Sequence, residues 1–187
     1  MSINLSKADN KTINLTKAAP QLQNITAHLW WNVPGASYDL DLSAFLLTNT
    51  ADGPKLTKDE NFVFYNNLRS PEGAVTKTAD ERTSGVEEVY IDLQTLASDV
   101  DEVSLVVTID KWQERGQEFG QIPEAGIKII NTDTGEELAF YDLDEQGSGT
   151  SALQIGSLFR QNGEFSFAAV GAFYQIELGD FVQGYSA

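Results

Sequence analysis

Two aspartates lie two residues apart in a stretch that otherwise has the pattern of a β-strand. Residues 37–47 read SYDLDLSAFLL, and strand alternation puts Asp39 and Asp41 on the same face as Phe45 and Leu47. Like charges stacked on one strand face repel each other, and acidic residues are depleted in strands. The stretch therefore raises the question of what neutralises these two carboxylates.

A bound Ca²⁺ ion would neutralise them, because calcium takes six to eight oxygen ligands at about 2.3–2.6 Å. On a strand the two Cα atoms would be about 7 Å apart, close enough for both side chains to share an ion. The other interpretation is an edge-strand end whose carboxylates reach water. Further oxygen ligands could come from the polar segment 66–85 and the strand after it. The candidate metal ligands are Asp39, Asp41, Asn66, Asp80, Glu81, Glu87 and Glu88.

A carboxylate pair is also the catalytic arrangement of glycosidases, but no second motif in the chain supports that chemistry. Trp30 and Trp31 are adjacent and point to opposite strand faces, so at most one can be a platform for sugar stacking. His28 shares the face of Trp30, and we interpret it as a packed or half-exposed residue. The chain contains no Gly-rich phosphate loop, G-x-S-x-G or H-E-x-x-H motif, so we expect a binding protein and not an enzyme.

Composition narrows the function classes further. The 187 residues include 28 acidic and 12 basic side chains, a net charge of −16, which argues against nucleic-acid binding through a basic face. The absence of cysteine excludes disulfides, thiolate nucleophiles and zinc–thiolate sites, and a single histidine excludes a multi-histidine metal site. An acidic surface suits hard cations that are held by oxygen ligands.

The chain has no recognisable targeting or membrane segment. Residues 1–17 are polar and lack the apolar region of a signal peptide, and no apolar run approaches the ~20 residues that span a bilayer. We expect a cytoplasmic protein without direct membrane insertion, and one domain over residues 1–187, because no Pro- or Ser-rich linker divides the chain.

Short strands at regular spacing, with few helical segments, predict an all-β sandwich of two antiparallel or mixed sheets with one or two short helices. Residues 103–110, VSLVVTID, predict a central strand buried on both sides, and Asn162-Gly163 predicts a tight hairpin. INLSK at 3–7 recurs as INLTK at 13–17, which we interpret as an N-terminal β-hairpin. The predicted strands are 25–33, 37–47, 61–65, 86–93, 103–110, 127–131, 137–143, 153–160 and 164–171, and the weakly helical segments are 111–118 and 173–181.

Several of these stretches together resemble the TerD family of bacterial tellurium-resistance and stress-response proteins. INLTKAAPQL, YDLDLSAFLL, NFVFYNNLRSPEGAV, RGQEFGQIPEAGIKIIN, AFYDLDE and LFRQNGEFSFAAVG resemble family motifs in the same order along nearly the whole chain. Asp39 and Asp41 match the paired aspartates of the family, Asn66 matches an Asn after Phe-Tyr, and Asp80 and Thr83 match a segment before its acidic loop.

The resemblance implies a β-sandwich that binds Ca²⁺ through acidic loops and has a non-enzymatic role in a membrane-linked stress and tellurite-resistance system. It implies calcium ions and other Ter-type proteins, including a membrane component, as partners. The chain departs from the family at 80–88, where DERTSGVEE is shorter than the usual acidic run, and at Asp110, where many members have His. Two other function classes stay open: a carbohydrate-binding sandwich that uses Trp30 or Trp31, and an interaction module whose metal site has decayed.

Overall fold

Two β-sheets packed face to face form the computed structural model of the protein, which describes residues 2–5, 11–78, 85–143 and 147–186. Along the described chain the strands are β1 (Ile3–Asn4), β2 (Thr12–Asn14), β3 (Asn24–Asn32), β4 (Leu40–Thr50), β5 (Gly53–Lys55), β6 (Phe62–Val63), β7 (Val75–Lys77), β8 (Val86–Asp92), β9 (Glu102–Ile109), β10 (Glu124–Asn131), β11 (Glu137–Asp142), β12 (Ala152–Gln161) and β13 (Glu164–Tyr174). The helices are α1 (Leu15–Ala18), α2 (Trp112–Arg115) and α3 (Leu178–Tyr185), with single 3-10 turns at Asp59–Asn61 and Phe119–Gln121.

The strand order confirms the predicted all-β sandwich. A six-stranded sheet has the order β1-β11-β10-β3-β8-β7, and a seven-stranded sheet has the order β2-β13-β12-β9-β4-β5, with β6 also paired to β4. Apart from β1, which runs parallel to β11, the strand pairs are antiparallel. The main core lies between the two sheets, where the inward-facing apolar residues of both meet.

Strand β9 occupies the centre of the seven-stranded sheet, as its apolar and β-branched sequence predicts. It pairs with β12 on one side and β4 on the other, and every residue from Val103 to Ile109 is buried. The hairpin between β12 and β13 is confirmed as well. Asn162 and Gly163 both have positive φ, 53° and 77°, as a two-residue hairpin turn requires.

The prediction of an N-terminal β-hairpin is wrong. β1 pairs with β11 in one sheet, and β2 pairs with β13 in the other, so the two similar segments separate. The repeat places one fully buried leucine in each, Leu5 after β1 and Leu15 after β2. Strand alternation identifies both segments but not their partners, and pairing with two long strands lets each leucine reach the core.

Both faces of β4 are covered by apolar groups. Leu40, Leu42, Ala44 and Leu46 point into the main core. Phe45 and Leu47 point outward into a second cluster, which is covered by α3 and which we call the outer core; its buried members are Phe45, Leu47, Leu56, Phe62, Val106, Ala152 and Phe181.

Helix α3 seals the outer core and is attached to the sheet edge. The rings of Phe45 and Tyr185 have centroids 5.0 Å apart, and Leu56 N donates to Tyr185 O at 2.7 Å. The sequence predicted a helical segment at 173–181, but the helix begins only at Leu178. Phe173 and Tyr174 still pair with β12 as part of β13. Its apolar positions Leu178, Phe181, Val182 and Tyr185 follow helical spacing.

A buried ion pair in the six-stranded sheet is also hydrogen-bonded to the other sheet. Lys77 of β7 and Glu87 of β8 have side chains 0% and 3% exposed, and Lys77 Nζ lies 2.5 Å from Glu87 Oε1. The other oxygen, Glu87 Oε2, accepts a hydrogen bond from the backbone N–H of Leu42 in β4. Glu87 therefore joins the six-stranded sheet to the strand that carries Asp41.

We expect Lys77→Met to destabilise the fold by about 3–5 kcal/mol, because it leaves the carboxylate of Glu87 buried without its counter-ion. The double variant Lys77→Met with Glu87→Gln should be more stable than Lys77→Met alone, since the uncompensated charge is gone and the amide oxygen can still accept from Leu42. Urea unfolding of the three proteins measures both effects.

Lys58→Met is the matched control for this prediction, because Lys58 pairs with Asp99 at 2.9 Å on the surface, where both side chains are about half exposed. It should change stability far less. Equal losses for Lys58→Met and Lys77→Met would contradict a stabilising role for the buried pair.

Candidate metal centre

The register between β4 and β9 gathers carboxylates at one end of the seven-stranded sheet. Asp41 lies opposite Thr108, and Asp110 N donates to Asp39 O at 3.0 Å. Asp39 and Asp41 are 7% and 9% exposed, so both carboxylates are nearly buried. They lie beyond the apolar end of the outer face of β4, which explains how acidic and apolar residues share that face.

A cavity of about 350 Å³ opens beside Asp41. Residues 110–114, which lead through the start of α2, form one wall, and residues 177–179 at the start of α3 form another. Four carboxylate residues line it together with one lysine: Asp41, Asp110, Glu114, Glu177 and Lys111. Tyr65 also lines the cavity and is 46% exposed.

Arg115, the last residue of α2, brings a positive charge to the aspartates. Its Nη1 lies 3.7 Å from Asp39 Oδ2, and its Nη2 lies 3.2 Å from Asp110 Oδ2. The guanidinium therefore contacts carboxylates on either side of the β4–β9 pairing. Arg115 supplies part of the neutralisation that the acidic pair requires.

Helix α2 is a single turn bounded by two left-handed residues. Lys111 before it has φ 49°, unusual for a residue other than glycine, and Gly116 after it has φ 62°. Gly116 N donates back to Gln113 O at 3.3 Å and so closes the turn. These two positions set the direction in which Arg115 leaves the backbone.

Gln117 adds a neutral oxygen to this end of the sheet. Its Nε2 donates to Ser37 O at 2.8 Å, two residues before Asp39. Its Oε1 is buried and accepts no hydrogen bond within the described part of the chain. A buried amide oxygen without a donor is costly, and it is a ligand type that calcium uses.

These donors suit a hard divalent cation in kind, because carboxylate and amide oxygens are the ligands calcium and magnesium take. Within the described ranges, no three Asp, Glu or His side chains converge closely enough to form a metal cluster. The described arrangement instead has a guanidinium beside Asp39 and Asp110.

The other predicted ligands have different surroundings. Asn66 is exposed and follows Tyr65 at the cavity. Asp80 and Glu81 lie outside the described residues. Glu87 points between the sheets toward Lys77, and Glu88, the next residue of β8, points to the outer face of the six-stranded sheet. The structure thus brings Asp39 and Asp41 together and does not bring Glu87 or Glu88 to their carboxylates.

The sequence interpretation missed Asp110, Arg115 and Gln117 as parts of this site. Asp110 was predictable in principle, since it ends the predicted strand 103–110 and an antiparallel β4–β9 pair places that end beside Asp39. Arg115 and Gln117 lie in the motif that begins RGQEFGQ, but the direction of their side chains depends on the left-handed turns around α2, which the motif alone does not specify.

Glu88 belongs to a separate polar group on the six-stranded sheet. His28 Nδ1 lies 2.7 Å from Glu88 Oε1, and the hydroxyl of Tyr90 donates to Glu88 Oε2. Partial burial alone would raise the pKa of Glu88, but the hydrogen bonds from Tyr90 and His28 and the charge of His28 hold that pKa below its usual value. The bond to Glu88 raises the pKa of Tyr90 to about 12.

The two neighbouring tryptophans have different environments. Trp31 is 8% exposed in the main core and donates from Nε1 to Tyr38 O at 3.2 Å, so it offers no exposed platform for a sugar. Trp30 lies on the outer face over Gly126, where an added Cβ would come within 2.9 Å of the indole Nε1. Glycine at 126 therefore gives the Trp30 ring its room.

The protein is a two-sheet β-sandwich with an acidic cavity at the end of its central strands. The model of the TerD domain matches residues 1–185. Tellurium resistance protein TerD of Serratia marcescens is 44% identical over 181 residues, 93% of this chain and 92% of that protein. General stress protein 16U of Bacillus subtilis (strain 168) is 36% identical over 183 residues, 94% of this chain and 92% of that protein. The chain belongs to the TerD family.

A solved structure supports the same fold. The crystal structure of a homologue of telluride resistance protein (TerD) from Streptomyces coelicolor A3(2) aligns with a TM-score of 0.68 and 21% identity, over 89% of this chain and 99% of that one. In the described ranges, no helix combines the length and the apolar character that crossing a bilayer requires.

We expect Tyr90→Phe to flatten the acid side of the stability curve. The pKa of Glu88 is lower in the folded protein than in the unfolded chain. Glu88 therefore adds to the free energy of unfolding above its unfolded-state pKa, and this contribution is lost as the pH falls through its folded-state pKa. Removing the Tyr90 hydroxyl brings the two pKa values closer together, so the free energy of unfolding should fall less steeply below about pH 4.5.

Urea unfolding at several pH values between about 3 and 6 tests this expectation. Tyr65→Phe removes the hydroxyl of a tyrosine that is not a hydrogen-bond partner of Glu88, and it should leave the wild-type pH dependence unchanged. Parallel curves for wild type and Tyr90→Phe would show that the bond to Glu88 does not control the titration.

Proposed function

We propose that the protein is a non-enzymatic stress-response protein of the tellurium-resistance type that acts by binding Ca²⁺ beside Asp39 and Asp41. The observation that carries the proposal is the burial of both carboxylates, at 7% and 9% exposure, on one strand face. Two nearly buried carboxylates on one face repel each other, and together they offer charged oxygen ligands to a cation. A divalent cation would reduce that repulsion.

The ligand chemistry favours calcium over magnesium. Calcium accepts an irregular shell of six to eight oxygens and so suits donors that come from several elements. Here the candidate donors come from the start of β4, from Asp110 after β9 and from Gln117 after α2. Magnesium demands a small octahedral shell and retains its waters, so it should compete poorly.

Asp80 and Glu81, which lie outside the described residues, remain proposed ligands, and Asn66 remains one from the exposed segment after Tyr65. The ion would then connect the end of the seven-stranded sheet to these polar segments. Glu87 and Glu88 are weaker candidates than the sequence indicated, because Lys77 and Leu42 engage the first and His28 and Tyr90 the second.

We base the proposed biological role on the names of two relatives. One is named a tellurium resistance protein and another a general stress protein. We infer that this chain serves a comparable stress response in the cytoplasm through binding or scaffolding. Its partners would be other Ter-type proteins, including a membrane component. A single histidine and no cysteine leave few side chains for acid–base or nucleophilic catalysis near neutral pH.

Arg115 favours a second candidate function. Since its guanidinium already contacts Asp39 and Asp110, the domain could fold as an interaction module without any metal ion. The two candidates differ in one respect that can be measured, which is whether calcium stabilises the folded protein.

We expect calcium to raise the melting temperature. A ligand that binds only the folded state at ~100 times its Kd adds roughly 2.7 kcal/mol, which for a chain of this length is about 5–10 °C. Asp39→Asn with Asp41→Asn should abolish the difference between chelated and calcium-loaded protein. Differential scanning calorimetry in EGTA and in excess Ca²⁺ measures it, and isothermal titration gives the stoichiometry.

The matched control is Asp52→Asn with Glu72→Gln, which removes the same charge from two exposed turn residues. It should keep the full calcium effect. An unchanged melting temperature for wild type in EGTA and in millimolar Ca²⁺ would reject the metal-binding function and favour the metal-free module.

A further inference from the structure

Arg115 places a positive charge where a bound cation would act. Its guanidinium contacts one carboxylate oxygen of Asp39 at 3.7 Å and one of Asp110 at 3.2 Å. The carboxylate of Asp39 is nearly buried, whereas the side chain of Arg115 is 36% exposed. One partner is therefore fixed in the sheet, and the other reaches it from the surface.

The backbone around Arg115 leaves room for the side chain to withdraw. α2 is one turn long and ends at Gly116, so Arg115 is the last residue before a left-handed reversal. Residues 113–116 are exposed, which leaves solvent accessible to a guanidinium that leaves the carboxylates. A guanidinium that withdraws into solvent is rehydrated, which offsets part of the cost of leaving a carboxylate.

We propose that Arg115 is a built-in competitor of the calcium ion, an inference that rests on the proposed calcium binding at Asp39 and Asp41. The guanidinium balances the charge of Asp39 and Asp110 in the calcium-free protein and must leave both carboxylates when the ion binds. Arg115 thereby sets the affinity of the site and keeps the calcium-free fold stable.

Electrostatic repulsion between the two cations favours this exclusion. A divalent cation on Asp39 or Asp110 would lie within a few ångströms of a guanidinium that still contacted them, and like charges at that separation repel strongly in a partly buried site. Occupation by one cation therefore weakens occupation by the other.

Linkage makes the effect reciprocal. Whatever free energy Arg115 contributes to the calcium-free protein but not to the loaded one must appear as weaker calcium binding. Removal of the guanidinium should therefore lower the stability of the chelated protein and tighten calcium binding together. A residue with a merely structural role would lower the stability of both forms and leave the affinity unchanged.

The test compares Arg115→Gln with Lys111→Asn. Both variants remove one positive charge from the α2 region, and Lys111 lines the same cavity. Asparagine tolerates the left-handed conformation of residue 111, so that variant keeps the turn. Calcium titration by calorimetry and melting in EGTA and in Ca²⁺ are measured for both variants and for wild type.

We expect Arg115→Gln to lower the calcium Kd by about five- to thirtyfold, the range of one or two charge-assisted contacts. The melting temperature in EGTA should fall, while that in saturating Ca²⁺ should change little. Lys111→Asn should change Kd by less than about threefold, which is the scale of an exposed charge screened by solvent. Arg115→Lys, which keeps the charge but loses the planar fork, should lie between wild type and Arg115→Gln.

If wild type binds calcium and Arg115→Gln binds it equally or more weakly, the proposed competition between Arg115 and calcium is wrong. The proposed calcium function would still stand. Equal tightening by Lys111→Asn would also overturn it, because the effect would then be one of net charge. Binding by Arg115→Gln but not by wild type would support the competition and reject calcium binding by the natural sequence. No binding by either protein would reject both.

Discussion

Strand β4 is covered on both faces, and this double burial is the constraint on which the rest of the site depends. One face enters the main core between the sheets, and the other enters the outer core under α3. A strand in that position has no free face for charged side chains. The register with β9 that buries Phe45 and Leu47 therefore holds Asp41 at the start of β4, and a hydrogen bond from Asp110 N holds Asp39 just before the strand, so their charge must be balanced locally.

The sandwich balances buried carboxylates in two different ways. Glu87, between the sheets, has a fully buried lysine and a backbone N–H as partners, and such a closed arrangement is suited to permanent structure. Asp39, at the sheet end, has a partly exposed arginine from a one-turn helix. Only the second arrangement lets one cation replace another without unfolding the core. The contrast separates a structural carboxylate from a carboxylate suited to binding, although both lie in acidic positions that look alike in sequence.

Periodicity and turn chemistry were sufficient to predict the longer strands, the central position of β9 and the Asn162-Gly163 hairpin, because these depend on local alternation and on positive φ. The three-residue strands β5 and β7 were not predicted, because they are too short to show alternation. The partners of β1 and β2 were not predictable, since alternation does not specify which edge a short strand joins. At the site, Asp39 and Asp41 stood out through their shared strand face. The separation of Glu87 from Glu88 depends on strand alternation in β8 and on the positions of Lys77 and His28, and Arg115 arrives through a left-handed turn that the sequence does not mark.

The central claim is that a calcium ion binds where β4, β9 and α2 meet. Amide chemical-shift mapping by NMR during a calcium titration locates the ion most directly. We expect the largest changes at Asp39, Asp41, Asp110 and Gln117, and small changes at the amides of His28 and Tyr90 on the outer face of the other sheet. Shifts concentrated around His28 and Tyr90, with the Asp39 and Asp41 amides unmoved, would contradict it.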